Sequence, residues 1–405
     1  INMNILKLLK LLKLLNLKLM LLYINMADRV KYKLATISRN MVDVFQKQSD
    51  VQVTIFLVAV IIILIFVMSL YVYKKRRLNE KNCNDLDKIY DAFPLISSMN
   101  PREEKNTYLL RDYYIKTAYN SCCGGEFKND FVNVCALKKC IQQGARCLDF
   151  QIYSVNNEPV ISTSSVDDFF IKETYNSVSF SDAMNVISNN AFSGSTSPNS
   201  QDPLLLHFRI NSTNKDIYNK MSDILQQELS DRVLGKEYSY EFEGYNLGAV
   251  PITNFMGKVI IIIDRSNDLF EDTELKEYCN IASNSMFMRG LRNYDIQYNP
   301  NIDDLTYYNK KCMSIVMPDV GAYDDNYAAG LAMSYGCQMV GMNFQNFDSN
   351  MEFYDILFDE AGSAFVLKPK NLRYIPETIK DPPPQNPELS YANRKVESDY
   401  YSFNI

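Results

Sequence analysis

From Val53 to Tyr73 the chain runs through 21 residues without a single charge, VTIFLVAVIIILIFVMSLYVY. At about 1.5 Å per residue, a helix of that length spans about 30 Å, the thickness of a bilayer's hydrocarbon core. A transmembrane helix is therefore expected over 53–73. A buried soluble helix is the competing reading. A cleaved signal peptide fits less well, because the run is long and follows some fifty residues. Lys74, Lys75, Arg76 and Arg77 come immediately after it. The positive-inside rule places that end, and everything beyond it, on the cytoplasmic side. Arg29, Lys31, Lys33, Arg39 and Lys47 weigh the other way, but the downstream cluster is tighter and nearer the membrane. Its four cations suit a membrane surface bearing anionic headgroups.

The rest of the chain divides around this span. Residues 1–52 form an N-terminal segment that opens INMNILKLLKLLKLLNLKLMLL. An amphipathic membrane helix is one reading of that repeat. Over-extended translation through 1–25 is the other, and it is slightly favoured, since Met26-Ala27-Asp28 opens a more ordinary sequence. Residues 74–100 read as a basic juxtamembrane linker. Residues 377–405 carry Pro382-Pro383-Pro384 and Pro387, and read as an extended, poorly ordered tail.

Between them, residues 101–376 alternate apolar runs with helical patterns. Leu204-Leu205-Leu206 and Val259 to Ile263 read as buried strands; Asp182 to Ile187 and Ile217 to Val233 read as helices. Residues 189–202 are a polar loop, and 233–250 are unclear. Alternating strands and helices over about 270 residues suit a parallel α/β barrel. The formal charge of −6 and the lack of a basic stripe exclude general nucleic-acid binding. Nine scattered cysteines without metal-ligand spacing read as reduced thiols. The sequon Asn211-Ser212-Thr213 falls at a strand end and is expected to be unused.

Two segments near the end carry a family signature. Tyr335-Gly336-Cys337-Gln338-Met339-Val340-Gly341-Met342-Asn343-Phe344-Gln345 is followed by Phe365-Val366-Leu367-Lys368-Pro369 and Leu372-Arg373. The pair resembles the Y box of eukaryotic phosphoinositide-specific phospholipase C. The X half is also visible, more diffusely. Tyr113 to Asn120 resembles the first catalytic strand, Gly144 to Gln151 the next, and Pro203 to Leu206 and Met256 to Val259 two more. The resemblance implies a TIM-type (β/α)8 barrel of phospholipase-C-like phosphodiesterase type, here preceded by one transmembrane helix. It is similar to minimal, anchored forms in large DNA viruses, which would place the barrel in the cytoplasm or virion interior.

The resemblance also implies a chemistry, and this chain departs from it. The family uses two histidines and a calcium ion held by acidic side chains. This chain has one histidine, His207. Tyr119 and Thr163 stand at the two family histidine positions. Neither is suited to proton transfer near neutral pH. Among the calcium positions Asn120 is kept, Asp149 stands for a glutamate, Gln151 for an aspartate and Arg209 for a glutamate. Calcium binding is expected to be weak or absent. Lys258 and Arg265 are the candidate substrate-binding cations. Tyr335 to Gln345 and Val366 to Pro369 are expected to maintain the scaffold. The sequence thus reads as an inactive phospholipase-C-like pseudoenzyme, a binding or structural module facing phosphoinositide headgroups or a protein partner. The alternative is an active divergent phospholipase C releasing diacylglycerol and inositol phosphates in lipid signalling.

Overall fold

Eight short apolar runs pair side by side in one direction. They are β1 (Tyr113–Ala118), β2 (Cys147–Val155), β5 (Leu204–Ile210), β6 (Val259–Asp264), β7 (Ile281–Ser283), β8 (Met288–Arg292), β9 (Met313–Met317) and β10 (Met339–Met342). The sheet runs β7-β6-β5-β2-β1-β10-β9-β8. Every adjacent pair along this path is parallel. β7 and β8 stand at its two edges and bring the sheet nearly into a closed barrel. β5 and β6 are buried almost throughout, which is why they read as continuous apolar runs rather than alternating ones. The computed structural model describes residues 50–405 except 167–169, 240–245 and 377–392, together with Thr36. The lysine-rich repeat and the candidate start sites lie outside the described residues.

β2 is longer than its neighbours. Its overhang folds back through β3 (Glu158–Ser162) and β4 (Val178–Ser179) as an antiparallel extension. β11 (Phe365–Leu367) pairs antiparallel with the start of β1. Helices Phe180–Asn190 and Lys215–Leu229 cover the predicted segments to within a turn.

The chain divides into two compact units, residues Ile1–Arg77 and Leu78–Ile405. In the first, a helix opens at Asp50, and its stretch from Thr54 to Tyr73 is exposed and uncharged. It is the one helix among the described residues that is long and apolar enough to cross a membrane. Lys75 and Arg77 lie over the rings of Tyr71 and Tyr73, at 5.0 and 5.3 Å.

The second unit corrects three expectations. The segment 74–100 is not simply a linker, because the helix continues to Ile89. Its later turns join the barrel's own packing. Leu86 and Tyr90 are buried with Ile96 and Met99. Asn79 accepts from Asn133, and Asn82 donates to Asp130. Cys83 is bonded to Cys135, with Cα atoms 5.9 Å apart, so the reading of all thiols as reduced is also corrected. The tail is not extended throughout either: β12 (Lys395–Ser398) and β13 (Tyr401–Asn404) form a hairpin, in which Val396 faces Phe403.

Candidate functional site at the carboxyl ends of the strands

The polar interior gathers where the parallel strands end. In register, Asp149 on β2 lies beside His207 on β5, and Gln151 beside Arg209. Residues two apart on a strand share a face, so both pairs project into the barrel. There they form one network, centred on Asp149.

Arg209 grips Asp149 with two donors. Its Nε reaches Oδ1 at 2.9 Å and Nη2 reaches Oδ2 at 2.6 Å. Nη2 also donates to Asn120 Oδ1 at 2.8 Å. The backbone N–H of Asn120 donates to Asp149 Oδ2 at 3.1 Å. Asn120 holds a left-handed backbone with φ of 43°, a conformation asparagine tolerates better than most residues. His207 Nδ1 lies 2.7 Å from Asp149 Oδ1 and its Nε2 3.0 Å from Ser283 Oγ. Burial alone would push the Asp149 carboxyl up. Arg209, then His207, outweigh it and hold Asp149 far below the usual carboxylate range.

Tyr119 caps this network. The Arg209 guanidinium stands 4.6 Å from its ring centre, and Arg292 Nη1 donates to its hydroxyl at 3.2 Å. Tyr119 fits because Gly341 on β10 lies against it. A Cβ there would come within 3.2 Å of the Tyr119 Cβ. Thr163 is buried and donates to the Phe127 carbonyl at 2.9 Å. The Phe127 ring meets Tyr119 edge-on at 5.5 Å, so the two family-histidine positions converge on one phenylalanine. Gln151 turns its carbonyl oxygen to the Ser164 N–H at 3.1 Å.

Above the network opens a cavity of about 290 Å³, lined among others by Arg209, Arg292, Asn211, Asp264 and Asn284. The loops around the mouth expose apolar side chains: Phe170, Ile171 and Tyr323.

The candidate substrate-binding cations do not share this site. Lys258 precedes β6, at its opposite end from the mouth, and donates to the Asp231 carbonyl. Six residues of strand separate it from Arg265, about 20 Å at about 3.3 Å per residue. Arg265 follows β6 at the correct end, but pairs with Glu271 at 2.8 Å. The sequence pointed instead past Arg292 and Ser283, which lie on two of the shortest strands and carry no local signal. The Y-box residues hold the scaffold: Gln338 donates to the carbonyls of Arg111, Asn309 and Cys312, and Lys368 to those of Asn309 and Gly336.

Two chemistries can be tested against this arrangement. Ser283, His207 and Asp149 are bonded in the order of a nucleophile, base and orienting acid. All three are fully enclosed, so the serine meets no substrate. A calcium ion needs six to eight oxygen ligands. The two retained oxygen donors, Asn120 and Asp149, already accept from a guanidinium, which supplies the positive charge a metal would. These residues do not fit calcium as they stand.

A nearly closed parallel barrel with its polar site at the strand ends defines a TIM-type α/β protein. Residues 107–265 match the phosphatidylinositol-specific phospholipase C X domain, and 267–371 match its Y domain. The chain belongs to the phosphatidylinositol-specific phospholipase C family. The crystal structures of PLC21 from L. pealei and S. officinalis are similar in fold, each with a TM-score of 0.55 at 18% identity. The matches cover 69% and 71% of this chain but only 39% and 40% of those chains. No curated protein matches the chain by sequence.

Proposed function

We propose that this protein is a membrane-anchored, phospholipase-C-like binding module that does not hydrolyse phosphoinositides. One observation carries the reading: Arg209 sits between Asn120 and Asp149, where the family resemblance puts calcium ligands. A fixed cation there neutralises Asp149 and, held by both of its carboxylate oxygens, does not coordinate and acidify a substrate hydroxyl as a metal does. Tyr119 and Thr163, at the positions of the two family histidines, leave no matched acid and base. Each such loss typically costs about 10² to 10⁴ in rate.

The mouth still suits a bound anion at a membrane. Arg209 and Arg292 line its cavity, and Phe170, Ile171 and Tyr323 stand exposed around it. The ligand class is therefore a phosphoinositide headgroup, held without turnover. The uncharged helix attaches the protein to the membrane. The basic residues Lys74 to Arg77 favour a barrel in the cytoplasm or virion interior. The Cys83–Cys135 bond favours the opposite side, because disulfides persist in oxidising compartments.

The test uses the full chain in phosphatidylcholine nanodiscs with phosphatidylinositol or its phosphates, with and without calcium. The expected result is no release of soluble inositol phosphate above buffer. Headgroup binding should be retained, and weakened at least tenfold by Arg292→Ala. Robust turnover that disappears in His207→Ala restores the hydrolase reading.

A further inference from the structure

Away from the mouth, a groove of about 270 Å³ runs between residues 89–94 and the helix Ser349–Ala361. Its apolar side is formed by Phe93, Phe347 and Ile356, each close to half exposed at 49, 45 and 47%. Its other side is acidic: Asp91, Glu352, Asp355 and Asp359 line it, and no lysine or arginine does.

That charge is only partly compensated: beside it, Lys139 donates to the Tyr90 carbonyl and pairs with Asp87, outside the groove lining. Asp355 and Asp359 are four residues apart on one helix face, a repulsive spacing. Lys116 pairs with Asp355 at 2.8 Å from inside the protein. Asp359 Oδ1 is buried with no hydrogen-bond partner. Burial raises the Asp355 carboxyl above its usual value; Lys116 offsets part of this, and Asp359 adds to it. The helix ends at Ala361 with no basic residue in its last turn, so Asp359 and Glu360 sit at the negative end of its dipole. A helix end of this kind gains from a cation.

We infer that this groove is a docking site for a basic, amphipathic peptide segment of a partner protein. An arginine or lysine would seat between Asp359 and Glu352, and a neighbouring apolar side chain between Phe93 and Ile356. Charge complementarity selects this occupant. An anionic lipid surface or a nucleic acid would be repelled by Asp91, Glu352 and Asp359. The cavity lies below the usual 300–1,000 Å³ of drug-sized ligand sites, and suits one or two side chains.

The test uses the full chain in phosphatidylcholine nanodiscs, with empty nanodiscs subtracted. The probe is a fluorescein-labelled Arg-Leu-Arg-Phe-Arg peptide carrying a photo-cross-linker. Its control has glutamate for arginine. The basic peptide should bind, cross-link to residues 89–94 and 349–361, and lose affinity at least tenfold in Glu352→Gln/Asp359→Asn. Asp303→Asn/Asp304→Asn, on another helix, should change it less than twofold. Asp359→Asn alone should raise the melting temperature, because it removes an uncompensated charge. Equal binding of the glutamate peptide, unchanged affinity in the groove variant, or cross-links elsewhere would each overturn the proposal. So would a lower melting temperature in Asp359→Asn. Binding of phosphatidylserine vesicles through the same carboxylates, or dimerisation abolished by the groove variant, would assign the groove to a lipid or to a second copy instead.

Discussion

Arg209 decides the chemistry of the mouth, and its contacts make sharp predictions. Removing one partner of a buried ion pair strands the other, at a cost of about 3–5 kcal/mol. Arg209→Met should therefore lower stability in urea denaturation by about that amount. Asp149→Leu/Arg209→Met together should cost much less, since both charges are gone. Folding depresses the Asp149 carboxyl below its unfolded value. Its stabilisation is thus complete above about pH 4 and is lost only in stronger acid, as pH falls through the folded value. Unfolding curves of Asp149→Asn and the unmodified protein should converge in that acid range and diverge above it. A gain-of-metal variant tests the same site from the other side. Arg209→Glu with Gln151→Asp removes the internal cation and restores oxygen ligands around Asn120 and Asp149. Calcium should raise the melting temperature of that variant, leave the unmodified protein unchanged, and lose its effect when Asp149→Ala is added.

At the scale of elements, the helix Asp50–Ile89 extends well past the uncharged run that announces it. The uncharged run was unmistakable, but its last turns are polar, and what they pack against lies fifty residues away. Cys83 meets Cys135 across 52 residues, a pairing that no local pattern announces. The strands β5 and β6 were legible because burial on both faces makes them continuously apolar. β7 and β8 were not, because three to five residues carry too little pattern to distinguish strand from loop. The site divides in the same way. Arg209 and Gln151 were visible as replacements, but the links from Asp149 to His207, and from His207 to Ser283, exist only in the closed barrel. Lys258 was misplaced because a cation at either end of one strand looks equally close in sequence. Closing a loop of this length is worth about 4 kcal/mol in the chain-entropy account. Reduction of the bonded protein should lower its melting temperature and speed amide exchange over residues 78–89 more than elsewhere. Lys368, at the base of the barrel, is pushed down to about 7 by burial, partly offset by Asp112. A lysine depressed by folding costs stability while it is protonated in both states. Stability should therefore rise with pH between about 7 and 10.5, and Lys368→Met should flatten that rise.

For the whole molecule, the open physical question is which side of the membrane the barrel occupies, because two features argue in opposite directions. Lys74 to Arg77 adjoin the uncharged run directly, and the orientation rule weights charges by their nearness to the span. The Cys83–Cys135 bond argues for an oxidising compartment. Asn211 supplies an independent reporter, since it opens the sequon Asn211-Ser212-Thr213. It also lines the mouth cavity and donates to Tyr153 at 3.3 Å, so a glycan there would occupy the proposed headgroup site. The charge argument is the one tied to insertion itself, whereas a thiol pair can be oxidised after folding. The expected orientation is therefore cytoplasmic, with Asn211 unmodified. Protease added to sealed, cytoplasm-side-out vesicles should digest the barrel. Glycosidase should leave its mobility unchanged. A protected barrel that carries a glycan would reverse the orientation. It would also remove the phosphoinositide headgroups of the cytoplasmic leaflet as the ligand, since a glycan at Asn211 and an anion between Arg209 and Arg292 compete for the same cavity.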